Sequence, residues 1–162
     1  MPKVLIIGCG NPLRGDDGLA WQALAQLERD PALGKVKMIC CHQLTPELAE
    51  PVSGADRVIF IDARTGETPG QVDLDRIEPA TFVGSSFSHR LDPPALLGYA
   101  EKLYGKRPEA FMASVAAESF GYGEELSDTV RASLATLLLR VVELALGGEV
   151  AEELAAGELR LG

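Results

Sequence analysis

Two short runs in this chain are apolar at every position: Val4-Leu5-Ile6-Ile7, closed by Gly8, and Val58-Ile59-Phe60-Ile61, closed by Asp62. A strand with one wet face alternates apolar and polar residues, because successive side chains point to opposite faces. Runs without alternation, too short for a buried helix, suit strands covered on both faces, as in a parallel sheet flanked by helices.

The intervening segments supply those helices. After the strand at residues 3–7, Asp16 and Asp17 precede Leu19, Ala20, Ala23, Leu24 and Leu27, a helical spacing with acids in the first turn. Residues 36–41 read as a second strand. Thr45-Pro46-Glu47 starts a short helix that Ser53-Gly54 ends. The third strand, 57–61, stops at Asp62, and 71–77 alternates as a half-exposed edge strand. Asp92-Pro93 opens a helix closed by Gly105; 110–115 is a fifth strand. Ser127-Asp128 caps the longest helix, with Val130, Leu134, Leu137, Leu138 and Val141 on one stripe. The order predicts a three-layer α/β/α sandwich around a five-stranded, mostly parallel twisted sheet. Residues 1–148 form one domain in this reading, and 149–162 an acidic C-terminal extension.

Composition narrows the function. Lys plus Arg total 15 against 24 Asp plus Glu, a formal charge of −9, so nucleic acid is a poor partner. No apolar run approaches the roughly 20 residues of a membrane span, and the opening Met1-Pro2-Lys3 leads into a strand rather than a signal peptide. Cys9, Cys40 and Cys41 are odd in number and lack C-x-x-C spacing, which suits reduced, buried thiols. A cytoplasmic location is expected.

In open α/β sheets, ligands bind outside the carboxyl ends of the strands. Asp16 and Asp17 follow strand one, Asp62 ends strand three, and His89 lies in the loop after strand four. Gly8-Cys9-Gly10 begins like a dinucleotide fingerprint, but the third glycine is displaced to Gly15, and strand two ends in Cys40-Cys41-His42 instead of an acid for a ribose. No Gly-Lys-Ser or Gly-Lys-Thr is present for a P-loop. Trp21 and Tyr104 read as packing residues, and Glu118 has no assigned role.

The full segment Gly8-Cys9-Gly10-Asn11-Pro12-Leu13-Arg14-Gly15-Asp16-Asp17-Gly18 resembles the opening motif of the hydrogenase maturation endopeptidases, which trim the C-terminus of nickel–iron hydrogenase large subunits. Val58-Ile59-Phe60-Ile61-Asp62-Ala63 is similar to that family's strand ending in Asp-Ala. Ser88-His89 ahead of a helix, and Gly123 with Leu126-Ser127 and Val130, extend the likeness over about residues 3 to 146. The resemblance implies that Asp17, Asp62 and His89 are metal ligands. Asp16 would neighbour them and hold the loop; Gly8 and Gly10 would permit a tight turn, and Asn11 would bond it. One departure is Cys40-Cys41-His42-Gln43, where several family members carry an acidic-glycine stretch; it brings His42 near the same edge as an auxiliary contact or an ordinary loop residue.

Two carboxylates and an imidazole leave coordination positions open and accept borderline divalent metals such as nickel or zinc. The resemblance implies an endopeptidase acting on a hydrogenase large-subunit precursor, with nickel presented by that precursor. A non-cleaving nickel-sensing chaperone of the precursor, and a small metal-dependent hydrolase of another substrate, stay open on the residues alone. No catalytic nucleophile is assigned, since no base stands at short spacing from Cys9.

Overall fold

The computed structural model describes residues 2–81 and 91–150. Five strands form one sheet: β1 (Val4–Cys9), β2 (Lys37–Cys41), β3 (Arg57–Arg64), β4 (Val72–Ile77) and β5 (Glu109–Ala116), in the order β2-β1-β3-β5-β4. All pairs are parallel except β4 with β5. Four helices cover it: α1 (Leu19–Leu27), α2 (Ala49–Ser53), α3 (Pro93–Tyr104) and α4 (Asp128–Ala145).

The all-apolar runs are buried on both faces, as their lack of alternation requires. Ile6 and Ile59 pack with Leu19, Leu24, Leu137 and Val141 from α1 and α4. Leu5, Ile7, Val58 and Phe60 pack on the other face with Val52, Leu96 and Leu97 from α2 and α3. Two apolar layers on one sheet make the three-layer sandwich. Cys40 belongs to the first layer and Cys41 to the second, the opposite-face placement that adjacent strand residues require.

Helix ends follow local chemistry. Ser127 and Asp92 cap α4 and α3, their side chains accepting from Val130 N–H and Ala95 N–H at 3.2 and 2.9 Å. Gly105 closes α3 with φ +67°. Two expectations are corrected. The segment after Thr45 is a 3-10 turn (Pro46–Leu48) followed by α2, and the Thr45 side chain makes no capping bond. Strand three does not stop at Asp62: β3 continues through Arg64, because β5 keeps pairing with it to the rung Arg64↔Ala116. The ladder with β1 is the one that ends there, at Gly8↔Ile61.

This topology places the site. From β1 the chain passes through α1 to β2 on one side; from β2 it crosses to β3 on the other. The connections leave on opposite faces, so a crevice opens beyond the carboxyl ends of β1 and β3.

Candidate active site

That crevice is a cleft of about 1020 Å³. It is lined by Gly10 and Asp17 after β1, His42 and Thr45 after β2, Asp62 of β3, and Asp92 and Tyr99 from α3. The volume suits several residues of an extended chain, not a metal ion alone.

Asp17 is held by the loop that carries it. Residues 15–18 form a 3-10 turn, and the Asp17 Oδ2 accepts the Asn11 N–H at 2.8 Å. Asn11 Oδ1 in turn accepts the Leu13 N–H at 2.9 Å, an Asx turn. Gly10 is the tight point: φ is +151°, and a Cβ there would stand 2.1 Å from the Asp17 carbonyl oxygen. Its N–H donates to the Cys41 carbonyl at 3.1 Å, and its carbonyl accepts the Trp21 indole N–H at 2.8 Å. Gly8 does something other than the turn expected of it. It lies inside β1, where a Cβ would meet Ala20 Cβ at 2.9 Å and Leu24 at 3.0 Å, so it admits α1 against the sheet.

Asp16 faces away from the cleft and is fully buried. Its carboxylate accepts from Glu118 N–H at 2.8 Å, Ser119 N–H at 3.0 Å, Ser127 N–H at 2.7 Å and Ser127 Oγ at 2.9 Å. Burial alone would push its pKa up. The backbone donors of Ser127, Ser119 and Glu118, with the Ser127 hydroxyl, outweigh burial and hold it below its usual value. Asp16 thus ties the Asp17 turn to the segment between β5 and α4.

Asp62 sits where β1 leaves β3 uncovered. Burial, then the charge of Asp17, push its pKa up to about 7 against a weaker opposing pull from the Ala63 N–H. The two carboxylates are therefore electrostatic neighbours, delivered to one cleft by the turn after β1 and by β3. The same field reaches the thiols. Cys9 is pushed far up by its hydrogen bond to Cys41, by burial and by Asp62, while that hydrogen bond draws Cys41 down. None of the three cysteines is fully buried, against the expectation of wholly buried thiols.

The His42 ring packs edge-on against Trp21, centroids 5.6 Å apart at 72°. Trp21 is more than a packing residue, since its one polar atom fixes the Gly10 peptide. Glu118, given no role by sequence, donates its N–H to Asp16. Neither bond had a sequence signal: the Trp21–Gly10 bond spans 11 residues and the Glu118–Asp16 bond 102. His89 and Ser88 lie outside the described residues. Among the described residues, no group of three or more His, Cys, Asp or Glu side chains converges to hold a metal ion. Asp17 and Asp62 are two donors. Among the described residues, no helix is long and apolar enough to cross a membrane.

No family model and no curated protein matches the chain. Solved structures do. An endopeptidase from Escherichia coli is similar at 25% identity and a TM-score of 0.70, over 91% of this chain and 95% of that one. The [NiFe] hydrogenase maturation protease HybD from Thermococcus kodakarensis is similar at 25% identity and TM-score 0.68, over 88% and 99%. The hydrogenase maturating endopeptidase HybD from E. coli shares 23% identity at TM-score 0.68, over 90% and 94%. Over about nine-tenths of its length the chain shares its fold with solved structures of hydrogenase maturation endopeptidases.

Proposed function

We propose that this protein is an endopeptidase that removes the C-terminal tail of a hydrogenase large-subunit precursor, and that it recognises nickel already placed in that precursor. One observation carries the reading: Asp17, on the turn after β1, and Asp62, on β3, reach a single cleft, near enough for the Asp17 charge to push Asp62 up. Burying two carboxylates together is unfavourable for the empty protein, and a divalent cation relieves it. The donors fit such an ion. With His89, two carboxylate oxygens and an imidazole nitrogen suit nickel or zinc and leave positions open.

The nickel belongs to the substrate, bound to the precursor's own ligands. Two carboxylates and one imidazole are too few to hold it tightly alone, so the protein completes a coordination shell begun elsewhere. A metal so held can polarise the scissile carbonyl. The chain's own residues do the rest. Asn11, Gly10 and Trp21 fix the Asp17 turn, and the cleft between β1, β3 and α3 has room for an extended tail.

The test is a cleavage assay on precursor purified with and without nickel, read by intact mass. Loss of a C-terminal fragment from the nickel-loaded form alone is expected. Equal cutting of both forms refutes nickel recognition. Co-elution with the loaded precursor without mass loss identifies a chaperone. Activity that appears when zinc or nickel is added to the enzyme with nickel-free precursor points to an ordinary catalytic metal.

A further inference from the structure

Cys9 and Cys41 face each other on the last rung of the β1–β2 ladder, Cys9↔Cys41. Both side chains lie on the α2–α3 face, while Cys40 turns to the other. The two thiols perturb each other's ionisation, Cys9 upward and Cys41 downward. Each also points at a backbone carbonyl across the strand pair, Cys9 Sγ to His42 O at 3.6 Å and Cys41 Sγ to Gly8 O at 3.6 Å. Neighbouring strands run about 4.8 Å apart, within the roughly 4.4–6.8 Å that a disulfide needs between Cα atoms. Cys9 lines the open cleft, so small molecules reach the pair from solvent.

We infer that Cys9 and Cys41 form a reversible disulfide across the ends of β1 and β2 when the protein meets a small disulfide oxidant such as glutathione disulfide. One cysteine loses its proton, and its thiolate attacks a glutathione sulfur, expelling one glutathione thiolate. The second cysteine, deprotonated in turn, attacks the mixed disulfide and expels the other. Two protein S–H bonds become one S–S bond, and one glutathione disulfide becomes two glutathiones. Oxidation removes the Cys9 thiol proton directed at the His42 carbonyl and ties together the two loops that bring Asp17 and His42 to the cleft. The bond forms at the strand ends, where the ladder stops, so the local backbone can adjust to the S–S geometry.

The experiment treats the full chain with glutathione disulfide at mildly alkaline pH, quenches with acid, and reads intact mass and free thiols. The expected product is about 2 Da lighter, two hydrogens fewer, with reactive thiols falling from three to one and recovering under dithiothreitol. Cys40→Ser should lose the same two hydrogens. Cys9→Ser, which keeps the Cys41 thiol and removes its resolving partner, should stop at a mixed glutathione adduct. A Cys40–Cys41 bond, a disulfide-linked dimer, stable glutathione adducts on the wild type, or three persisting thiols would each overturn the inference.

Discussion

Asp16 and Ser127 stand 111 residues apart in sequence and share two hydrogen bonds, from the Ser127 N–H at 2.7 Å and the Ser127 hydroxyl at 2.9 Å. Ser127 also caps α4 through the Val130 N–H. A single buried carboxylate therefore locks the turn bearing Asp17 to the start of the longest helix. Asp16→Ala strands several buried donors, each costing about 1–3 kcal/mol when unpaired. We expect a loss of about 3 kcal/mol or more in urea melts. The pKa of Asp16 is lowered, so its contribution is present above the unfolded value of 3.8 and is lost as pH falls through the folded value. Wild type should lose stability on acidification below about pH 4, and Asp16→Asn should flatten that part of the profile. A variant as stable as wild type at neutral pH would show that the tie is dispensable.

Asp62 has the opposite sign. Its pKa is raised to about 7, so the folded protein retains the proton that the unfolded chain has released. This contribution is full below the unfolded value of 3.8 and is lost as pH rises to about 7. Asp62→Asn cannot ionise. With chelator present, it should match wild type near pH 4 and exceed it above pH 7, by about 1–4 kcal/mol at about 1.4 kcal/mol per pKa unit. Melts across that range decide the point. A variant less stable than wild type at pH 8 would mean that the carboxylate stabilises the fold.

Gly10→Ala tests the tightest point of the loop. Its Cβ would lie 2.1 Å from a backbone oxygen of Asp17, at a φ that side chains rarely adopt. We expect a cost of about 3 kcal/mol or more, since backbone cannot move aside as a flexible side chain can. Gly105→Ala, whose Cβ meets nothing within 4 Å but whose φ is +67°, should cost only about 1 kcal/mol. Equal losses in both would place the Gly10 effect in φ alone.

The sheet was legible because its central strands have no polar alternation, and apolar runs that short suit strands covered on both faces. The end of β3 was not. Asp62, Ala63 and Arg64 have no apolar pattern, and the backbone ladder with β5 holds them extended. Asp17 and Asp62 were legible as candidates because both follow strand ends, where open α/β sheets bind ligands, and both fall on the motif resemblance. Trp21 was not, since helical periodicity reports which face of α1 is buried and is silent on where an indole N–H points. Gly8 was misread for a related reason: a glycine admitting a helix and a glycine making a turn look alike without the helix in place. His89, Ser88 and residues 151–162 lie outside the described residues.

Trp21→Phe separates stability from positioning. The phenyl ring retains apolar bulk and an aromatic edge for His42 but deletes the donor to the Gly10 carbonyl. One lost hydrogen bond costs about 1 kcal/mol of stability. The consequence for the site is separate. The Gly10 peptide lies between Cys9, which pairs with Cys41, and Asn11, whose N–H holds the Asp17 carboxylate at 2.8 Å. Freed to rotate, it lets Asp17 drift, and a displacement of about 1 Å at a reacting centre can cost up to about a hundredfold in rate. We expect kcat/KM on nickel-loaded precursor to fall about tenfold, equivalent to about 1.4 kcal/mol, with the fold intact by circular dichroism. Trp21→Leu removes the aromatic edge as well, and should fall further only if contact with His42 also matters. Full activity in Trp21→Phe together with the expected drop in stability would return Trp21 to packing alone.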